Sequence, residues 1–154
     1  MVESSWPLTK AALRYGDMPA LIGEPTSYSF RDYDELARKV SAALGVAGIG
    51  RGDRVGILAL PSVHLPAILM GCFERGVVAC LLNTRIPRHG LAEQLHRVSG
   101  MALIADEFFS MVRLGHMPAL RIDDLLSSDF TGEPAPNSFR LDQFATILFT
   151  SGSS

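Results

Sequence analysis

The sequence predicts an α/β protein with a mostly parallel sheet and flanking helices. Short apolar runs rich in Val, Ile, Leu and Ala recur at residues 54–60, 77–82 and 102–105, as expected of strands buried on both faces. Segments of helical periodicity separate them, and parallel neighbours need crossover connections that are usually helical. The 154 residues are 47% hydrophobic, enough to bury a core. Only 19% are charged, against roughly 25% in a typical soluble domain, so part of the surface is expected to be apolar or covered by another segment.

The elements follow in order. Extended segments at 20–23 and 27–30 flank Glu24-Pro25-Thr26 and form a hairpin. Tyr33, Leu36, Ala37, Val40, Leu44 and Ala47 share one helical face, with Arg31, Asp34, Glu35, Arg38 and Lys39 on the other positions. Ser29 is the expected N-cap of that helix. Gly45, Gly48, Gly50 and Gly52 then end it and turn the chain into the strand 54–60. A helix over 65–75, a strand over 77–82, a helix over 89–98 and a strand over 102–105 continue the rhythm. A shorter helix near 108–114 and a strand over 119–122 come next, and Asp123 and Asp124 read as the start of a helix carrying Leu125 and Leu126.

From 127 to 137 the composition turns to Ser, Asp, Gly, Pro and Asn, which marks a loop. A last apolar strand, 145–150, runs directly into Ser151-Gly152-Ser153-Ser154. The expected organisation is an α/β body over 1–126, a loop or linker over 127–143, and a strand leading into a polar loop over 144–154.

Several functions are disfavoured by composition. The formal charge of -2 and the lack of a Lys/Arg cluster argue against nucleic acid as a partner. Cys72 and Cys80 sit in apolar stretches without metal-ligand spacing, so they read as reduced thiols of a cytoplasmic protein. The first ten residues carry Glu3, Ser4 and Ser5 where a secretory signal needs a basic flank and an apolar run. Pro61, Ser62, His64 and Pro66 interrupt the apolar stretch 55–73, and a membrane span needs ~20 mostly apolar residues.

Chemistry is concentrated at the end of the last strand. Thr150, Ser151, Gly152, Ser153 and Ser154 offer hydroxyl donors, backbone N–H groups and a glycine that admits an anion close to the main chain. The run is not a Walker A sequence, and by itself a Ser/Gly-rich loop is more often an exposed linker.

Taken with its context, the run gains meaning. Ile147-Leu148-Phe149-Thr150-Ser151-Gly152-Ser153-Ser154 resembles the opening of the phosphate-loop signature of adenylate-forming enzymes, a superfamily of acyl-CoA synthetases, luciferases and peptide-synthetase adenylation domains. Phe30-Arg31-Asp32-Tyr33-Asp34-Glu35-Leu36, followed by Gly50-Arg51-Gly52-Asp53-Arg54-Val55, is similar to the family's helix and its Gly-Asp-Arg-Val strand entry. Gly76-Val77-Val78-Ala79-Cys80-Leu81-Leu82-Asn83-Thr84-Arg85 resembles the family's Gly-Ala-Val strand and Pro-Leu-Asn turn. The resemblance runs from about Leu8 onward. Leu81 departs from the usual proline, and Pro61-Ser62-Val63-His64 replaces a common Asn-Ser-x-Glu. The wording Asn83-Thr84-Arg85 resembles ligases acting on aryl and succinylbenzoate-type acids, 2-succinylbenzoate-CoA ligase among them.

The resemblance implies ATP-dependent activation of a carboxylic acid as an acyl-adenylate, followed by transfer to CoA, with magnesium as the metal. Thr150, Ser151, Gly152, Ser153 and Ser154 would then take the β and γ phosphates, where neutralising charge on the departing pyrophosphate helps most. The family's lysine, magnesium-binding acid, ribose-binding aspartate, acyl pocket and C-terminal lysine have no counterpart here. The chain is therefore expected to be an N-terminal portion of such a ligase, inactive alone, metal-free and prone to self-association. The alternative is a non-catalytic interaction or regulatory module that retains the ligase fold.

Other candidates have plainer explanations. The four glycines follow a helix and open a strand, the reverse of a dinucleotide fingerprint. His89 and His96 can share a helix face, yet no further ligand completes a metal site. Arg85 and Arg88 follow a strand's carboxyl end, where ligands bind in α/β folds, although surface solvation is the better account of long cationic side chains. Asp123 and Asp124 fit a helix N-terminus better than a catalytic pair. Ser151 lacks the Gly-x-Ser-x-Gly elbow of a hydrolase nucleophile.

Overall fold

Residues 6–127 and 140–150 are described by a computed structural model. Helix α1 (Pro7–Tyr15) leads to a hairpin of β1 (Pro19–Leu21) and β2 (Tyr28–Ser29), then to α2 (Phe30–Val46). The body follows as β3 (Arg54–Leu58), α3 (Leu65–Arg75), β4 (Val78–Leu81), α4 (Arg88–Arg97), β5 (Ala102–Ala105), β6 (Ala119–Arg121) and α5 (Ile122–Ser127). The last strand is β7 (Thr146–Leu148). The sheet order is β6-β5-β3-β4-β7, and every pairing is parallel. The runs at 54–60, 77–82 and 102–105 are thus the three central neighbours, as expected from the sequence.

Strand alternation sorts the core into two faces. Val55, Ile57, Ala79, Ala102 and Ile104 pack with Val40 and Leu44 of α2, Ile68 and Cys72 of α3, and Ile122 and Leu125 of α5. Leu58, Leu103 and Ala105 point the other way, against Leu91 and Leu95 of α4 and Leu114. The β3-α3-β4 crossover and the β4-α4-β5 crossover run in opposite directions along the sheet. Right-handed connection therefore puts α3 and α4 on opposite faces.

Helix α2 starts where its cap dictates. The Ser29 hydroxyl accepts from the Asp32 amide at 3.1 Å, and the Asp32 carboxylate accepts from the Ser29 amide at 3.0 Å. These reciprocal bonds form a capping box, and the hydrogen bonds from Ser29 hold the Asp32 carboxyl below its ordinary value. Gly48 and Gly52 take φ of 77° and 83° in the turns that follow and redirect the chain, whereas Gly45, expected with them at the helix end, lies inside α2. Helix α3 ends on Gly76 in a left-handed conformation.

The structure departs from the sequence reading in three further places. Helix α1 was not anticipated. Its residues Leu13, Arg14 and Tyr15 are exposed and only Leu8 is buried within it, so its periodic signal is faint. The helix expected at 108–114 is a single 3-10 turn, Glu107–Phe109. The Phe109, Ser110 and Val112 amides each bond to the carbonyl three residues back, at 2.9–3.1 Å, so the tighter winding replaces α-helix. Asp34, expected on the solvated side of α2, is buried. The linker residues 128–139 lie outside the described residues.

Candidate functional site

Parallel strands present all their carboxyl ends on one rim, and in open α/β sheets that rim carries the ligand. Register brings four segments to it. Leu58 of β3 pairs with Ala105 of β5, and Ile57 pairs with Leu81 of β4. Leu81 in turn pairs with Leu148 of β7. Asn83 and Thr150 therefore stand at the same height, each two residues beyond a paired position. The loops leaving β3 and β4 head for helices on opposite faces, which makes the gap between these strands a switch point.

Each loop is held by its own polar contacts. The Asp106 carboxylate, just past β5, accepts from the Leu60 amide at 2.7 Å and from the Phe109 amide at 3.2 Å. It ties the β3 exit to the 3-10 turn. The Asn83 side chain accepts from the Arg85 amide at 2.9 Å, closing an Asx turn after β4. Phe149 packs into the cluster that contains Leu82 and Ile86, and this anchors the end of β7 beside the β4 exit. Thr150, the next residue, is exposed.

A cleft of about 590 Å3 opens beside this rim, lined by the β1–β2 loop and by Pro61, Ser62, Val63, His64 and Pro66. His64 Nδ1 lies 3.4 Å from the Tyr28 hydroxyl, with the two rings 5.7 Å apart. The Tyr33 hydroxyl donates to the Pro66 carbonyl at 3.3 Å, fixing the start of α3 against α2. Desolvation raises the Tyr33 phenol above its ordinary value, consistent with a permanent donor.

Of the residues expected from sequence to hold phosphate, Thr150 stands on the rim at the end of β7. Ser151, Gly152, Ser153 and Ser154 lie outside the described residues. Arg85 and Arg88 are exposed on the β4–α4 side of the same rim, and His89 and His96 are exposed on α4. Asp123 and Asp124 occupy the first turn of α5. Among the described residues, no three His, Cys, Asp or Glu side chains converge on a common point. Cys72 and Cys80 are buried free thiols, and burial pushes Cys72 up to about 12. No described helix is long and apolar enough to cross a membrane.

Sequence reasoning missed Asp106, His64 and Tyr28. An acid placed immediately after an apolar strand was the available signal for Asp106. The His64–Tyr28 contact joins residues from distant segments and leaves no local pattern.

Comparison with known proteins agrees with this geometry. The profile of the family described as AMP-binding enzyme matches residues 8–154. A 2-succinylbenzoate–CoA ligase of Bacillus pumilus is 26% identical over 153 residues, covering 99% of this chain and 31% of that ligase. The O-succinylbenzoate coenzyme A synthetase of Bacillus subtilis in complex with AMP superposes with a TM-score of 0.91 at 24% identity, over 99% of this chain and 40% of that one. The same synthetase in complex with ATP and magnesium ion gives 0.87 at 24% identity, over 97% and 41%. The chain thus spans about a third of the length of the curated relatives it matches.

Proposed function

The chain belongs to the AMP-binding enzyme family, and from that premise we propose that it is the N-terminal part of an ATP-dependent acid–CoA ligase. The observation that carries this is the exposed Thr150 at the carboxyl end of β7, held by Phe149 beside the β4 exit and leading into Ser151, Gly152, Ser153 and Ser154. Such a run supplies hydroxyl and amide donors to the phosphates of ATP on the rim where α/β folds bind ligands.

The substrates of the whole enzyme are ATP, a carboxylic acid and CoA. An aryl or succinylbenzoate-type acid is favoured by Asn83-Thr84-Arg85 and by the ligases the chain is similar to. Magnesium supplies charge neutralisation to the triphosphate. No described cluster of acids would hold it, so its protein ligands belong to other parts of the enzyme. Within this chain, Thr150 and the residues after it bind phosphate oxygens, Asp106 holds the β3 exit in place, and Asn83 shapes the turn after β4. The buried thiols fit a cytoplasmic enzyme.

By itself the chain is inactive. In-line attack of a carboxylate on the α-phosphorus requires groups on both reactants to be held together, and one rim with a partial phosphate loop holds only one of them. A second reading, an interaction module that keeps the fold, is favoured by the outer edge of β7, which has no strand partner among the described residues and where Leu148 is 67% exposed.

Acid-dependent exchange of labelled pyrophosphate into ATP tests the proposal. The 154-residue chain should give none, and a longer protein that extends it with the remainder of the family's domain should give exchange that Thr150→Val weakens. Exchange by the short chain, or none by the extended one with any aryl or succinylbenzoate-type acid, overturns it.

A further inference from the structure

At the other end of the strands, where β3, β4 and β7 begin, the chain gathers positive charge. A cleft of about 330 Å3 is lined there by Arg51, Arg54, Arg140, Asp142, Gln143 and Phe144, with backbone from Gly52 and Gly76. Among the described residues that line it, three guanidinium groups meet one carboxylate, in a protein whose overall formal charge is -2. Asp142 is committed to Arg140 through its two oxygens, one of them 2.8 Å from Arg140 Nε. That pairing holds the Asp142 carboxyl below its ordinary value, with Arg51 adding to the effect. The guanidinium groups of Arg51 and Arg54 make no hydrogen bond or ion pair among the described residues.

Two further residues line the same cleft. Gln143 has its side-chain oxygen buried without a hydrogen-bond partner among the described residues. A buried amide in that condition costs ~1–3 kcal/mol unless something supplies the missing bond. Phe144 is 80% exposed at the rim and offers a flat apolar surface next to the cations. The floor is fixed: the Gly52 amide donates to the Gly76 carbonyl at 2.9 Å, and both glycines have positive φ, of 83° and 76°.

We infer that this cleft binds a small organic phosphate. Free guanidinium groups with planar paired donors match phosphate oxygens better than any other common anion except carboxylate. The volume lies at the lower end of the range for small-molecule sites. The organic part rests on Phe144. Thr150 lies at the opposite end of the sheet, roughly 20 Å from Phe144 along a strand that rises ~3.3 Å per residue. Neither site depends on the other for its residues.

Amide chemical-shift mapping at low ionic strength reads this out, with phenyl phosphate and inorganic phosphate as probes. Phenyl phosphate should move the Gly52, Gly76 and Phe144 amides saturably. Arg51→Gln should weaken it roughly ten-fold, and Arg113→Gln, which removes the same charge elsewhere, should not. Asp142→Asn should tighten it, and Phe144→Ala should erase the preference for phenyl over inorganic phosphate. Arg51 lies on an exposed turn, so its variant is expected to fold, and a thermal melt checks this. Shifts confined to Thr150 and the residues after it, equal losses in the Arg51 and Arg113 variants, equal binding of the two probes to the unmodified chain, or no saturation at millimolar phosphate would each overturn the assignment. Because Thr150 and the cleft report separately, failure here leaves the ligase proposal standing, and the reverse also holds.

Discussion

The Thr9 hydroxyl on α1 donates a 2.9 Å hydrogen bond to the Asp34 carboxylate on α2. The second Asp34 oxygen takes Arg38 Nε at 3.1 Å, and Arg38 also reaches back to Thr9 at 3.1 Å. This closed triangle fastens α1 to the body together with the buried Trp6 and Leu8. Glu74 of α3 is buried within the field of Asp34 and Arg38, and one of its carboxyl oxygens is buried without a hydrogen bond among the described residues.

Desolvation is the main reason that the Glu74 carboxyl is pushed up from 4.5 to about 7, with Asp34 adding and Arg38 opposing. The folded protein therefore binds one more proton than the unfolded chain between those values, and stability falls as pH rises through that window. Above pH 7 the loss reaches at most about 3 kcal/mol. Glu74→Gln should remove this component and be the more stable form at pH 8. Trp6 is the one tryptophan in the sequence and is 2% exposed, so denaturant titrations followed by its emission at pH 5 and pH 8 measure the effect. Parallel pH dependence in both proteins would refute it.

Helices α2 and α3 touch at Gly71. A Cβ built there stands 2.5 Å from Val40 Cβ and 2.7 Å from the Ala37 carbonyl oxygen. Backbone cannot turn aside as a side chain can, so Gly71→Ala should cost roughly 2–3 kcal/mol despite better helix propensity. At Gly45 the atoms nearest the added methyl are those of the Arg75 guanidinium, whose Nε bonds to the Ile49 carbonyl at 3.2 Å. Gly45→Ala should cost less than about 1 kcal/mol. Urea denaturation of both variants decides whether backbone contact or helix content governs.

Among the described residues, β7 has no partner on its outer edge. Leu148 within it is 67% exposed and Leu141, in the turn before it, 85%, and unpaired edges with apolar side chains pair with other chains. The protein should therefore self-associate at micromolar concentration, and Leu148→Lys should shift it toward monomer. Sedimentation velocity on the two proteins tests this, and a concentration-independent monomer in the unmodified chain counts against it.

Much of the body was legible because its signals are local. The three central strands are apolar runs bounded by glycines, and Ser29 with Asp32 spells out a helix start. Glu74 was invisible for the opposite reason. Its neighbours in sequence, Phe73 and Arg75, say nothing about Asp34 and Arg38, which reach it only once α2 and α3 have packed. Asp34 misled because an acid at a surface-like helical position reads as solvated, whereas α1 folds over it. The candidate site divides in the same way: Thr150 is readable as the end of an apolar strand, while the hold of Asp106 on Leu60 spans two strands and appears only in the fold.

Among the described residues, strand β7 hydrogen-bonds to β4 alone, yet the chain reaches it after building β6 at the far edge of the sheet. During synthesis, residues through α5 leave the ribosome and can bury the β3–β6 core while the free edge of β4 waits for a strand not yet made. That edge will accept any segment of matching pattern. A peptide carrying residues 145–150 should therefore complete the sheet when supplied in trans, so the Thr150 end of the molecule can be delivered as a separate piece.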